Sequence, residues 1–173
     1  MAKSLTVDLA LLGHFALQHS LMARQSFKRW WTCWVPQPAE RSTYLLLTSL
    51  VLICLYWQWR PIPNIIWDIE SPLPRLLIRM LSLVGLSIVV WAQASLHPGD
   101  FLGIRQAYLY AKGMPYTQSE FSIPGPYRYL RHPSMFGLLL ALWATPTATA
   151  GYLLFAAGLT AYVWCASNGK KQI

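Results

Sequence analysis

The sequence predicts an all-α membrane protein of about five transmembrane helices, the last two forming a short helical hairpin. Two observations carry that expectation. Of the 173 residues, 55% are apolar or aromatic and only 12% are charged, whereas a soluble domain carries roughly 25% charged residues. The apolar residues also gather into long runs, separated by segments rich in Pro, Arg, Trp and Tyr. A crossing takes about 20 residues, so spans and modest loops fill the chain as a single membrane domain over 1–173.

The first expected span covers about 5–23. It carries His14, Gln18 and His19, and a cleaved signal has a uniformly apolar core, so it reads as a retained span. A basic stretch follows, with Arg24, Lys28, Arg29 and Arg41 set among Trp30, Trp31 and Trp34. Indole rings prefer the headgroup layer, which makes this an amphipathic segment lying at the interface and ended by Pro36 and Pro38. The second span, 42–59, finishes in Tyr56, Trp57 and Trp59. A loop over 60–75 holds Asp68, Glu70 and four prolines, and the third span covers 76–96. A polar segment then extends over 97–133. The last apolar run, 134–166, would make a single helix of roughly 50 Å, against a hydrocarbon core of about 30 Å. Pro146 and Gly151 weaken its middle, so it divides into spans over 134–148 and 151–166.

Charge sets the expected sidedness. With 24–41, 97–133 and the tail inside, the inner face collects Arg24, Lys28, Arg29, Arg41, Arg105, Lys112, Arg128, Arg131, Lys170 and Lys171. The outer face keeps Lys3, Arg60, Arg75 and Arg79, which obeys the positive-inside rule and makes 97–133, the expected cofactor loop, cytoplasmic. The formal charge of +8 is therefore assigned to the lipid bilayer and its anionic headgroups. No nucleic acid is expected, because the cations form no continuous stripe. Cys33, Cys54 and Cys165 show neither a C-x-x-C motif nor metal-ligand spacing, and no metal is expected.

The stretch Gly125–Gly137 concentrates the chemistry. Arg128, Arg131, His132, Tyr127 and Tyr129 stand immediately before an apolar helix that opens at Pro133, a residue favoured there because its missing N–H would be unpaired anyway. A helix N-terminus offers free N–H groups to an anion, and Arg131 adds a fork that suits a carboxylate. Juxtamembrane anchoring, with Arg and Tyr reaching the headgroups, explains the same residues equally well. His14, Gln18 and His19 could line a path for a reactant or make interhelical hydrogen bonds. His97 with Asp100 could be a base and its orienting partner or an interfacial cap.

The pattern G-x-Y-R-Y-x-R-H-P-x-x-x-G at 125–137 resembles the signature of the isoprenylcysteine carboxyl methyltransferase and phospholipid methyltransferase superfamily. Within it, the chain is most similar to the methanethiol S-methyltransferase and NnrU-like group. Further stretches carry the resemblance: F-A-L-Q-H-S-L-M-A-R at 15–24, F-K-R-W-W-T at 27–32 and V-P-Q-P-A-E-R-S-T-Y at 35–44. W-Q-W-R-P-I at 57–62, G-I-R-Q-A-Y-L-Y at 103–110 and L-W-A-T-P-T at 142–147 extend it. The resemblance implies methyl transfer from S-adenosylmethionine to a small thiol such as methanethiol, giving a thioether (dimethyl sulfide). It places Arg131, His132, Pro133 and Gly137 in the cofactor pocket, with Tyr127 beside it. Arg131 would pair the methionine carboxylate, Gly137 would let backbone approach the ligand, and His132 is the candidate catalytic group. His14, Gln18 and His19 become the candidate acceptor path.

Two departures stand. Met135 occupies a place where the family usually has Tyr, and the chain ends Ser167-Asn168-Gly169-Lys170-Lys171-Gln172-Ile173 where relatives carry an acidic pair and a Tyr-containing tail. Relatives also tend to have a further N-terminal span. The alternatives are a lipid or isoprenylcysteine acceptor, and a truncated, non-catalytic membrane remnant. A transporter is disfavoured because no inverted repeat is visible and no carboxylate is expected within a span.

Overall fold

A computed structural model describes residues 2–96, 98–115 and 125–168. Its helices are α1 (Ala2–Ala23), α2 (Gln25–Trp31), α3 (Glu40–Gln58), α4 (Pro72–Ser95), α5 (Pro98–Phe101), α6 (Ile104–Ala111), α7 (Pro133–Trp143) and α8 (Ala150–Asn168). Two short strands, β1 (Ile65–Asp68) and β2 (Thr147–Thr149), interrupt them, together with 3-10 turns at Gln37–Ala39 and Gly125–Arg128. The chain divides into two compact units. The first contains Met1–Leu12, Trp59–Ser95 and Pro124–Ile173, and the second Gly13–Gln58 and Leu96–Ile123. His97, the expected partner of Asp100, and the tail with Lys170 and Lys171 lie outside the described residues.

Local chemistry explains the helix ends. α3 opens with Glu40 in its first turn, where a carboxylate meets the positive end of the helix dipole. α4 begins at Pro72 and α7 at Pro133, both in the first turn, where a missing N–H breaks no helical hydrogen bond. Thr149 caps α8, its Oγ accepting the Tyr152 N–H at 3.2 Å.

Among the described residues, three helical segments are long and apolar enough to cross a membrane: Gln37–Gln58, Pro72–Ser95 and Ala150–Ser167. The large side chains of α4, Leu77 and Val90 among them, point outward, as a lipid surroundings requires. α1 is not among the three, because Asp8, His14, Gln18 and His19 dilute its apolar character. α7, with 11 residues, extends only about 16 Å and does not cross on its own. The last apolar run is interrupted at 144–149, yet α7 packs principally along α4 rather than along α8.

The first unit holds a feature that an all-α expectation does not contain. β1 pairs antiparallel with β2 in the register Ile65↔Thr149, Trp67↔Ala148 and Asp68↔Thr147, with a bulge between Ile65 and Trp67. Main-chain bonds continue the pairing: Ile69 N–H donates to Pro146 O at 2.9 Å and Ala150 N–H to Asn64 O at 2.8 Å. The Trp67 indole N–H reaches Thr145 O at 3.1 Å. Backbone groups left open by the break in the last apolar run thereby find partners. At the edge, the Thr147 hydroxyl donates to Asp68 Oδ1 at 2.6 Å and Arg75 Nη1 donates to the same oxygen at 3.2 Å.

That arrangement has a pH signature. The Thr147 hydrogen bond first, and then the Arg75 charge, hold the Asp68 carboxyl below its ordinary value of 3.8. A depressed carboxyl contributes stability above its unfolded-state pKa and loses it as pH falls through the folded one. Thermal melts in detergent are therefore expected to be insensitive to this group near neutrality and to drop below about pH 4. Asp68→Asn should flatten that acid limb slightly, the effect being small because the pair is solvent-exposed. An unchanged acid limb would remove Asp68 from the account.

Candidate functional site

The segment carrying the expected site lies in the first unit, at the α4 C-terminal end. Gly125 adopts φ +51°, and a Cβ there would fall 2.5 Å from Ser95 Oγ and 3.3 Å from Trp91 Nε1, so only glycine fits. Pro126 is buried beside it, and its carbonyl accepts the N–H groups of Tyr129 and Leu130. Pro133, at the other end of the segment, is fully buried. Between these anchors Arg128, Tyr129, Leu130, Arg131 and His132 are all exposed. The result is a bow pinned at both ends that presents two guanidinium groups and an imidazole.

The start of α7 completes the bow. His132 is the residue before the first helical turn, and its side chain makes no capping hydrogen bond. Phe136 N–H is the first to reach an intrahelical acceptor, His132 O at 3.1 Å. Ser134 and Met135 therefore present N–H groups with no main-chain acceptor among the described residues. Arg131 likewise has no hydrogen bond or ion pair there. Tyr127 folds over the helix start, its hydroxyl 3.2 Å from Ser134 Oγ. An uncapped positive helix end beside two guanidiniums without a carboxylate partner among the described residues is chemistry suited to a carboxylate or another small anion.

Gly137 stands elsewhere. It is buried against α4, where a Cβ would lie 2.6 Å from Gly85 O, 3.0 Å from Val89 Cγ2 and 3.1 Å from Ile88 Cβ. The reciprocal Cβ at Gly85 would meet Ala141 N at 2.6 Å and Gly137 O at 2.7 Å. The two glycines let the α4 and α7 backbones touch, the small-residue contact common between membrane helices. Ser82 Oγ bonds Ala141 O across the same seam at 3.1 Å. The missing side chain of Gly137 is thus explained by helix packing, and the partner Gly85 was passed over in the sequence although it interrupts an apolar run.

His14, Gln18 and His19 belong to the second unit. His14 is exposed. Gln18 Nε2 donates to Thr48 Oγ at 3.4 Å and approaches Met22 Sδ at 3.0 Å. The His19 ring nitrogen Nδ1 lies 2.9 Å from the Tyr44 hydroxyl, and its ring stacks on Phe15. Gln18 and His19 therefore tie α1 to α3, the interhelical role. Asp100 pairs with Arg105 at 3.2 Å. Asp8 corrects the expectation that no carboxylate lies within an apolar run: it stands in α1, inside the expected span 5–23. It is fully buried in the first unit, with Oδ1 accepting the Arg60 N–H at 2.9 Å and Oδ2 unpartnered among the described residues. That bond fastens the first half of α1 to the chain leaving α3.

Fold and site together define an integral membrane protein with helices of crossing length and an exposed cationic turn at one end of a close-packed helix pair. Comparison with known proteins supplies the lineage. The chain is 48% identical over 172 residues to a methanethiol S-methyltransferase of Mycobacterium tuberculosis, covering 99% of this chain and 70% of that protein. It is 42% identical over 172 residues to a methanethiol S-methyltransferase of Crocosphaera subtropica, covering 99% and 68%. A more distant similarity, 32% over 166 residues, joins it to nurim of Xenopus laevis, covering 91% of this chain and 58% of nurim. The chain belongs to the methanethiol S-methyltransferase family. No protein-family model matches it, and no solved structure matches it.

Proposed function

We propose that the protein is a membrane-embedded methyltransferase that transfers the methyl group of S-adenosylmethionine to a small thiol, methanethiol, giving dimethyl sulfide. The observation that carries the activity is the 48% and 42% identity, over 99% of the chain, to proteins named for that reaction. The ordered motifs support placing this family within the isoprenylcysteine carboxyl and phospholipid methyltransferase superfamily, beside NnrU-like proteins.

The donor set at the start of α7 fits the amino-acid end of S-adenosylmethionine. Arg131, aided by Arg128, would hold its carboxylate, while the Ser134 and Met135 N–H groups contribute fixed partial charge. Tyr127 and the buried Pro133 would wall the pocket. When bound, the cofactor supplies an electrophilic sulfonium methyl group. The thiol reacts as thiolate, so His132, exposed beside the cations, is the group available to take its proton. His14, Gln18 and His19 remain the candidate acceptor path. What the protein contributes to such a displacement is alignment and exclusion of water.

For topology we infer five passages, with α1 and the α7–β2 segment added to the three long helices, the N-terminus outside and the 97–133 loop cytoplasmic. The positive-inside count supports this. The β1–β2 pairing supports it as well: β1 precedes α4 and β2 follows α7, so the chain has returned to the end where α4 began. The 125–133 bow sits at the other end of α4, against Trp91 and Ser95. The test uses purified protein in detergent with S-adenosylmethionine and methanethiol, reading dimethyl sulfide in the headspace. Production above a no-enzyme control supports the reading. Cofactor turnover with a prenylcysteine or phospholipid but none with methanethiol would reassign the acceptor, and no cofactor binding would overturn the proposal.

A further inference from the structure

The second unit contains a surface that lies outside the proposed 125–134 site. Several pieces clamp onto the first turn of α3, the start of a membrane-crossing segment. From one side, the Trp31 indole N–H donates to Thr43 Oγ at 3.0 Å and Lys28 pairs with Glu40 at 3.4 Å. From the other, Arg41 donates to Phe101 O and lies 5.2 Å over the Phe101 ring. Gly103, at φ +74°, packs so closely that a Cβ would fall 2.8 Å from Ser42 Oγ and 2.9 Å from Ser42 N. α6 rests on the 37–39 turn. Helices from two distant parts of the chain, α2 and α6, therefore share the end of α3.

Their outward faces have one composition. On α2 Trp30 is 56% exposed and in the turn after it Trp34 78%, and on α6 Ile104 and Tyr108 are exposed at 58% and 54%. Ile104, Tyr108 and Lys112 follow one another at four-residue spacing, with Lys112 Nζ 4.7 Å over the Tyr108 ring. Glu40 and Asp100 are already engaged by Lys28 and Arg105. Arg24, Arg29 and Lys112 are exposed and have no carboxylate partner among the described residues. Indole and phenol rings interleaved with uncompensated cations, at the mouth of a spanning helix, match the headgroup layer in polarity and an acidic lipid in charge.

We propose that α2, the 100–103 turn and α6 form one docking surface for anionic phospholipid headgroups of the bilayer in which the protein sits. α6 is then an interfacial helix and not part of a freely solvated loop. The inference rests on the membrane placement of α3 and is independent of the methyl-transfer reading, so either can fail alone.

The test reconstitutes the full chain in phosphatidylcholine vesicles in which a minor fraction of lipid carries brominated acyl chains, on either phosphatidylglycerol or phosphatidylcholine. The brominated phosphatidylglycerol should quench tryptophan fluorescence several-fold more strongly than an equal amount of the brominated phosphatidylcholine. Added salt should collapse that preference in the unaltered protein. The combined variant Arg24→Gln, Arg29→Gln and Lys112→Gln should lose most of it, each cation contributing up to about fivefold in local enrichment. Arg79→Gln, on α4, should keep it. Equal quenching by the two lipids, a preference indifferent to salt, or an unchanged preference in the combined variant overturns the assignment. The first of these results would turn the search toward an acidic protein partner.

Discussion

Arg131→Ala should weaken S-adenosylmethionine binding by about 10- to 100-fold while leaving the melting temperature nearly unchanged. The factor follows from the roughly 1.5–3 kcal/mol that a hydrogen bond to a charged group contributes. The unchanged melting point follows from geometry: Arg131 is exposed and bonds nothing among the described residues, so its removal orphans no buried partner. Arg131→Lys should fall between, because an ammonium keeps the charge and loses the planar fork. Arg128→Ala provides the comparison. It stands on the same exposed bow but in the 3-10 turn, one step further from the start of α7, and should cost less. Titration calorimetry in detergent reads all three. Equal affinities for Arg131→Ala and the unaltered protein would leave the bow as a headgroup anchor, the other reading its residues support.

How much of this was legible in the sequence depends on the range of the interaction. Pro133 as the opening of a helix, and Pro146 within the interruption of the last apolar run, are local effects of a missing N–H, and both are visible in the order of residues. The interfacial place proposed for the Trp-rich basic segment likewise starts from its composition. The β1–β2 pairing was not legible. β1 lies in a proline-rich stretch and β2 is three residues long, so neither shows an alternating pattern, and the bond between them joins positions about 80 apart, Asp68 to Thr147. Asp8 failed for another reason: a single carboxylate in an apolar run looks like noise until the Arg60 N–H it accepts is seen. The family resemblance assigns Gly137 to the ligand, yet a glycine that admits a ligand and one that admits a neighbouring helix are spelled alike. Only Gly85 opposite it separates the two.

That separation can be made experimentally, and it carries the largest expected effect on folding. Gly137→Val should lower the melting temperature by several degrees or abolish folding. Its Cβ alone would sit 2.6 Å from a backbone oxygen of α4, with Val89 and Ile88 at 3.0 and 3.1 Å. A rigid backbone atom cannot swing aside, so the helices must part. Overpacking of this kind typically costs about 1–3 kcal/mol, and roughly 2–4 °C accompanies each kcal/mol in a chain of this size. Gly137→Ala and Gly85→Ala should each show a smaller loss. Their double variant should lose less than the sum, because the first methyl already forces open the gap that the second needs. Melting curves of the four proteins give the coupling directly. Cofactor titration of the same set then distinguishes the two roles: packing predicts that Gly85→Ala and Gly137→Ala behave alike in both measurements. If Gly137→Ala instead loses affinity at an unchanged melting point while Gly85→Ala does not, Gly137 faces the ligand and the seam between α4 and α7 has been misassigned.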